Sequence, residues 1–90
     1  MRIELSRDVL KDLGRLDRLI RNRILRFLQN RVAKLDDPRS IGEPLKGPVF
    51  GELWKYRLGD YRILCRIEDR RLVVLVLRIG HRGNVYRGRT

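Results

Sequence analysis

The stretch that most constrains the fold is residues 53–66, LWKYRLGDYRILCR, which predicts two strands joined by a two-residue turn. Glycine at the first central position of that turn, Gly59, favours a type II′ turn, whose twist matches that of the flanking strands. A two-residue turn also fixes the register, so that Arg57 lies directly opposite Arg62. The sequence therefore predicts an antiparallel hairpin at the centre of a sheet.

Alternation along the two strands separates an apolar face from a basic face. The apolar face carries Trp54, Tyr56, Leu58, Tyr61, Ile63, Cys65 and Ile67, and the other face carries Leu53, Lys55, Arg57, Arg62, Leu64 and Arg66. Like charges directly opposite each other destabilise a sheet. The basic face therefore predicts a partner that supplies negative charge.

The charge of the whole chain points in the same direction. There are 22 Lys and Arg against 11 Asp and Glu, a formal net charge of +11. Such a balance is typical of proteins that bind polyanions: nucleic acid, an anionic membrane or an acidic protein. An apolar run of ~18 residues and a signal peptide are both missing, so we expect no membrane partner and a cytoplasmic location.

The length and the cysteine count limit the fold and its chemistry further. Ninety residues predict one domain, residues 1–90. The single cysteine, Cys65, lies on the apolar face and predicts an inert buried thiol. One cysteine and one histidine cannot form a zinc site, and we expect neither a metal nor a cofactor.

Residues before the hairpin predict a strand and two helices. Residues 1–5 alternate weakly and predict a short strand, and Ser6 is a candidate N-cap for a first helix that ends near Gly14. Apolar residues at helical spacing predict a second helix from about Leu16 to the Asp36-Asp37-Pro38 break. Residues 36–51 hold all three prolines and predict an ordered linker.

The second helix has a strongly basic outer face with few acidic partners at helical spacing. Its members are Arg15, Arg18, Arg21, Arg23, Arg26, Arg31 and Lys34. A solvated helix face and a contact surface for an anionic partner both remain open.

Residues 72–79 are almost wholly apolar and predict a strand buried on both faces in mid-sheet. An odd number of residues in the preceding loop places Arg78 and Arg82 on the same face as Arg62, whereas an even number sends them to the core face. Because arginine is rarely buried, we expect the odd number. The order of elements predicts an α+β fold: an N-terminal strand, a helical hairpin and a three-stranded antiparallel meander, with the helices packed on one face of the sheet.

The basic residues of the sheet form a candidate phosphate-binding surface: Lys55, Arg57, Arg62, Arg78 and Arg82, followed by Tyr86. If such a surface cleaves RNA without a metal, the reaction requires a base for the 2′-hydroxyl, cations for the pentavalent phosphate and an acid for the leaving oxygen. Tyr86 is the candidate base, because neighbouring guanidinium groups favour a phenolate. Arg62 and Arg82 are candidates for charge stabilisation, with Lys55 or Arg82 as proton donor. The alternative is that these residues only make a sheet soluble.

Three segments also carry a family resemblance: EPLKG (43–47), GELWKYRLGDYRILCRIED (51–69) and RLVVLVLRIGHRGNVY (71–86). They resemble the RelE branch of the RelE/ParE toxin superfamily of type II toxin-antitoxin systems. The resemblance implies an mRNA endoribonuclease that acts in the ribosomal A site, inhibits translation and is neutralised by a cognate acidic, RelB-like antitoxin. By position it implies functional roles for Lys55, Arg57, Arg62, Arg82 and Tyr86. We predict Lys55, Arg62, Arg82 and Tyr86 as catalytic residues, and Arg57, Arg78, His81 and Arg87 as RNA-binding residues.

Two departures from the family pattern keep other functions open. Leu53 stands where some members carry a further lysine, and relatives that use a Glu and His pair make Glu52 and His81 secondary candidates. One alternative is a ParE-like gyrase inhibitor with the same fold. The other is a noncatalytic RNA-binding module or an inactivated toxin. The Lys-Arg-Arg-Tyr combination favours the nuclease.

Overall fold

The computed structural model describes residues 1–45 and 53–82. Its strands are β1 (Arg2–Leu5), β2 (Glu43–Pro44), β3 (Leu53–Leu58), β4 (Tyr61–Glu68) and β5 (Val73–His81). The α-helices are α1 (Arg7–Gly14) and α2 (Arg18–Asn30), and two 3-10 turns follow them, Val32–Lys34 and Pro38–Ile41. The α+β class is therefore confirmed.

The strands form a mixed sheet in the order β1-β5-β4-β3-β2. β3, β4 and β5 are the antiparallel meander that the sequence predicts. β1 pairs in parallel with β5, and the two-residue β2 pairs antiparallel with β3 at the opposite edge. The N-terminal strand thus closes one edge of the meander beside the last strand.

The predicted hairpin register is confirmed. Arg57 lies opposite Arg62, and Trp54 lies opposite Cys65. Gly59 has a φ of 60° whereas Asp60 has a negative φ, as a type II′ turn requires. The turn chemistry of one glycine therefore fixes which side chains share each face.

Both helices pack on the apolar face of the sheet, as predicted. Val9 and Leu13 of α1 and Ile24 and Leu28 of α2 join the core with side chains of all three meander strands, among them Tyr56, Ile63, Cys65 and Val76. The Ser6 hydroxyl accepts a hydrogen bond from the backbone N–H of Val9 (3.1 Å) and caps α1 as expected. Burial raises the pKa of the Cys65 thiol, which fits an unreactive core residue.

α2 is shorter than the sequence predicts, since it ends at Asn30. Val32 is nevertheless fully buried, and the chain continues through the 3-10 turn Val32–Lys34. The apolar periodicity therefore continues beyond the end of the α-helix, because the 3-10 turn also directs Val32 toward the core. No α-helix in the described part of the chain is long and apolar enough to cross a membrane.

The loop between β4 and β5 contradicts the predicted odd length. Glu68 lies opposite Val73, so four residues, 69–72, connect the strands. The register then shifts within the strands: Cys65 lies opposite Val76, but Leu64 lies opposite Arg78. This β-bulge inserts one extra residue into β5 and restores the alternation that the even loop would have reversed.

The basic face is also less uniform than alternation suggests. Leu53 and Leu64 are buried on it and form a small second cluster with Leu45 and Leu77. This cluster occupies the middle of the face. The basic side chains of β3 and β4 therefore divide into those near the hairpin turn and Arg66 beyond the leucines.

Candidate functional site

Two arginines, Arg62 and Arg82, lie at the end of the sheet that holds the hairpin turn. The Arg62 Nη1 donates to the carbonyl oxygens of Gly59 (3.0 Å) and Tyr61 (2.9 Å). The backbone N–H of Arg82 donates to the carbonyl oxygen of Asp60 (2.7 Å). One short turn thus positions an arginine from β4 and the arginine that follows β5. We call residues 59–62 and 80–82 the turn end.

Neighbouring residues leave this end open and make it more basic. Gly80 lies opposite Arg62, so no side chain on β5 covers the guanidinium group from that position. A third arginine approaches from α2: a Cβ placed on Gly59 would lie 3.8 Å from the Arg23 Nη1. The basic face of α2 therefore reaches the turn end.

Lys55 and Arg57 extend the basic surface along β3. Lys55 is half-buried, Arg57 is exposed, and Arg57 faces Arg62 across the hairpin. The Arg57 Nε pairs with the Glu43 Oε1 at 3.0 Å. Glu43 belongs to β2 and lies opposite Lys55, so it supplies negative charge to one arginine of the pair. Sequence analysis did not identify Glu43, because a two-residue strand has no periodicity of its own.

In the part of the chain that the structure describes, most basic side chains of this surface have no acidic side chain beside them to neutralise their charge. Within residues 1–45 and 53–82, Lys55, Arg62 and Arg82 form no ion pair with an acidic side chain. Guanidinium groups bind phosphate oxygens through forked hydrogen bonds that a carboxylate partner would otherwise occupy. The turn end is therefore suited to bind a phosphate group.

The sequence analysis placed Arg78 on the basic surface with its guanidinium group free, but the structure pairs this group with Asp12. Its Nε and Nη2 donate to the two carboxylate oxygens of Asp12 on α1, at 2.9 and 3.2 Å. The same carboxylate accepts the backbone N–H of Ile79 at 2.9 Å. These bonds raise the pKa of Arg78 and engage its guanidinium group within the fold.

Asp12 itself was missed by sequence analysis, although its position carried a signal. It lies three residues after Val9 and directly before Leu13, on the side of α1 that is buried and otherwise apolar. A carboxylate at such a position needs a partner, because burying an isolated charge is very unfavourable. Arg78, which follows 66 residues later, is that partner.

His81 also lies apart from Arg62. It is opposite Tyr61, and the two rings meet edge to face with centroids 5.6 Å apart. Tyr61 packs against the main core, so the ring pair lies on the helix side of the sheet. His81 and Arg62 thus occupy opposite faces.

Tyr86, Arg87 and Glu52 lie outside the described residues, so their roles remain predictions. Tyr56 is the tyrosine nearest the centre of the hairpin, but it is buried and donates its hydroxyl to the carbonyl oxygen of Pro38. Burial raises the pKa of this phenol, so Tyr56 is unsuited to act as a base.

Residues 3–86 match the family model described as the ParE toxin of the type II toxin-antitoxin system parDE. The chain belongs to this toxin family. The resemblance to the RelE/ParE superfamily is therefore confirmed across nearly the whole sequence. Membership makes the protein a toxin of a type II toxin-antitoxin system.

Known relatives agree with this placement. The chain is 39% identical to toxin RelG of Mycobacterium tuberculosis over 51 residues, which span 57% of this chain and 58% of RelG. The match thus covers little more than half of that relative. Among solved structures, the toxin-antitoxin complex RelBE2 of Mycobacterium tuberculosis matches with a TM-score of 0.81 at 26% identity, covering 92% of both chains.

Two further structures extend the comparison. The archaeal RelE-RelB complex of Pyrococcus horikoshii matches with a TM-score of 0.71 at 28% identity, covering 92% of this chain and 96% of that one. The intact RelBE complex of Escherichia coli matches at 0.69 and 20% identity, covering 89% and 94%, and shows the shared fold alone.

Proposed function

We propose that this toxin is a metal-independent endoribonuclease that cleaves mRNA on the ribosome and so inhibits translation. The observation that carries the proposal is the arrangement of Arg62 and Arg82. Both are held by one hairpin turn, and neither pairs with an acidic side chain in the described part of the chain. A paired arrangement of this kind suits the charge that develops on a phosphate during cleavage.

The proposed chemistry assigns each step to a residue. Arg62 and Arg82 stabilise the pentavalent phosphate, and Tyr86 takes the proton of the attacking 2′-hydroxyl. Arginine keeps its proton under all ordinary conditions, so Lys55 is the better donor to the leaving 5′-oxygen. Arg57 binds the RNA backbone, and its ion pair with Glu43 orients the guanidinium group.

A dependence on the ribosome follows from the composition of this site. Tyrosine and lysine are weak acid and base catalysts near neutral pH, because their ordinary pKa values lie far from it. A ribosome that aligns the 2′-hydroxyl with the phosphate lowers the barrier by positioning the reacting groups, and so compensates for the weak acid and base. We therefore propose mRNA in a translating ribosome as the substrate and the cytoplasm as the site of action.

We also propose a cognate antitoxin, acidic in its toxin-binding segment. The matched RelBE2 and RelE-RelB structures are toxin-antitoxin complexes. A chain with a formal net charge of +11 has basic groups that repel one another, and carboxylates from a partner would relieve that repulsion. A segment that is disordered when free and folds on the toxin suits this role.

Gyrase inhibition is a second candidate function, favoured by the ParE description of the matched family model. A primer-extension assay on translating ribosomes, run beside a gyrase supercoiling assay, separates the two. We expect new mRNA ends that appear only with ribosomes, and unchanged supercoiling. Stalled gyrase without mRNA cuts would contradict the nuclease, and neither activity would favour a noncatalytic RNA-binding module.

A further inference from the structure

A cavity of about 290 Å³ lies between the end of α1 and the end of β5. Its walls include Arg15 and Leu16 after α1, and Arg78, Gly80 and His81 of β5. Two predicted RNA-binding residues that lie away from Arg62, namely Arg78 and His81, thus come together here.

The cavity forms where β5 loses its neighbouring strand. β1 pairs with β5 only as far as Val76. The Ser6 side chain then donates to the carbonyl oxygen of Leu77, and the Asp12 carboxylate accepts the backbone N–H of Ile79. Beyond these two contacts the edge of β5 faces the cavity, which is therefore built into the fold.

The walls suit a nucleotide in shape and charge. Asp12 holds the Arg78 guanidinium group by two bonds, so this group forms a rigid planar wall, and guanidinium planes stack on bases. The half-buried Leu16 adds an apolar surface. Asp12 and Arg78 neutralise each other, which leaves the exposed Arg15 and His81 to attract a phosphate.

Gly80 connects this cavity with the turn end. It lines the cavity and also lies opposite Arg62, and it has no side chain to separate the two. We infer that the cavity is a subsite for an RNA nucleotide that flanks the phosphate bound by Arg62 and Arg82. In this arrangement the base lies against Arg78 and Leu16, and Arg15 binds the flanking phosphate. The inference rests on the proposed function.

The single histidine of the chain makes the subsite directly measurable. The ring-proton NMR signals of His81 are free of overlap from other histidines and report from the cavity wall. We expect them to shift saturably when the full chain is titrated with adenosine 5′-monophosphate. Inorganic phosphate alone should bind about tenfold more weakly, since it lacks the stacking base.

Arg15→Ala provides the critical variant, with Arg18→Ala as its matched control. Both arginines are exposed, and both substitutions remove one positive charge near the start of α2. Arg15→Ala should weaken the nucleotide affinity about tenfold, the scale of one lost hydrogen bond to a charged group, whereas Arg18→Ala should change it less than about twofold. Equal effects of the two variants would reduce the binding to general charge attraction and overturn the subsite.

Other outcomes of the titration also decide the question. An unchanged His81 signal at millimolar nucleotide overturns the inference, as does phosphate binding as tightly as the nucleotide. A response to an acidic peptide but not to nucleotide would assign the cavity to a protein partner instead. Because the titration needs no ribosome, nucleotide binding without mRNA cleavage would contradict the proposed function while leaving the nucleotide site in place.

Discussion

Arginines lie at both ends of the sheet, but most of those at one end pair with carboxylates, whereas those at the other end do not within the described part of the chain. At the loop end, which we define as residues 68–73 with the β1 and 3-10 residues beside them, Arg2, Arg39 and Arg71 pair with carboxylates, whereas Arg70 forms no ion pair among the described residues. Arg71 bonds to Glu4 and Glu68, and Arg39 bonds to Asp69 through both terminal nitrogens. At the turn end, Arg62 bonds only to backbone carbonyls among the described residues.

This contrast separates arginines that hold the fold from arginines available to a ligand. Exposed ion pairs such as those of the loop end contribute only ~0–1 kcal/mol each to stability. Their main effect is to neutralise charge locally. Among the described residues, Arg62 and Arg82 keep uncompensated charge at the turn end, which is where a phosphate group would bind.

The largest expected effect comes from the tyrosine that follows the turn end. Tyr86→Phe removes the ionisable oxygen but keeps the ring, so single-turnover mRNA cleavage should fall by ~10²-fold or more if the phenol is the base. Ribosome binding should barely change. Tyr61→Phe is the matched control, since it removes a hydroxyl from the same end of the sheet and should leave the rate within about twofold.

The Phe and Ala variants of Tyr86 separate catalysis from stacking. A tyrosine that only stacks on RNA would be replaced well by Phe and poorly by Ala, because stacking of a base on an aromatic ring contributes ~1–3 kcal/mol. A near-native rate of the Phe variant would remove Tyr86 from the catalytic residues.

The next largest effect should come from Arg78 of β5, whose acidic partner is the buried Asp12. Asp12→Ala leaves the Ile79 N–H without its acceptor and Arg78 without its counter-ion, which should lower the free energy of unfolding by about 2 kcal/mol. Urea denaturation measures the loss. Glu4→Ala, which removes the half-buried carboxylate that pairs with Arg71 and Arg2 at the loop end, should cost less than ~1 kcal/mol. Equal losses of unfolding free energy in the Asp12 and Glu4 variants would show that the buried and the loop-end ion pairs do not differ in their contribution to stability.

Substitution of the unpaired arginines should affect activity rather than stability. Arg62→Ala and Arg82→Ala should each slow cleavage by more than about tenfold, through weaker stabilisation of the phosphate, while the free energy of unfolding changes by less than ~0.5 kcal/mol. Arg71→Ala is the matched loop-end control and should cleave at the native rate. If the Arg62 and Arg82 variants cleaved like the native chain, the turn end would not be the site.

The hairpin could be predicted in detail because local chemistry determines it. Gly59 sets the turn, the two-residue turn sets the register, and alternation then places Arg57 opposite Arg62. The same reasoning failed for the loop before β5. There the extra residue lies in a bulge near Leu77, within a run of apolar residues whose pattern does not reveal it.

The candidate site was also predicted only where local sequence chemistry determines it. Lys55, Arg57 and Arg62 follow from the hairpin, and the structure brings Arg82 to them through one backbone bond to Asp60. The acids that modify this surface come from elsewhere in the chain. Asp12 pairs with Arg78 across 66 positions, and Glu43 reaches Arg57 from a two-residue strand. Such contacts depend on tertiary packing, which local periodicity does not describe.

The smallest expected effect tests the neutralisation at the loop end through pH. The forked bond from Arg39 lowers the pKa of the Asp69 carboxyl below its ordinary value of 3.8. A carboxyl whose pKa is lower in the folded state contributes stability above its unfolded pKa and loses that contribution as the pH falls through the folded pKa.

The carboxyl carbon of Asp69, followed by NMR, should therefore titrate with a midpoint below 3.8. Arg39→Gln should return the midpoint toward the ordinary value, because it removes the charge that stabilises the carboxylate. A native midpoint at or above 3.8 would show that Arg39 is as uncompensated as Arg62, and the contrast between the two ends of the sheet would disappear.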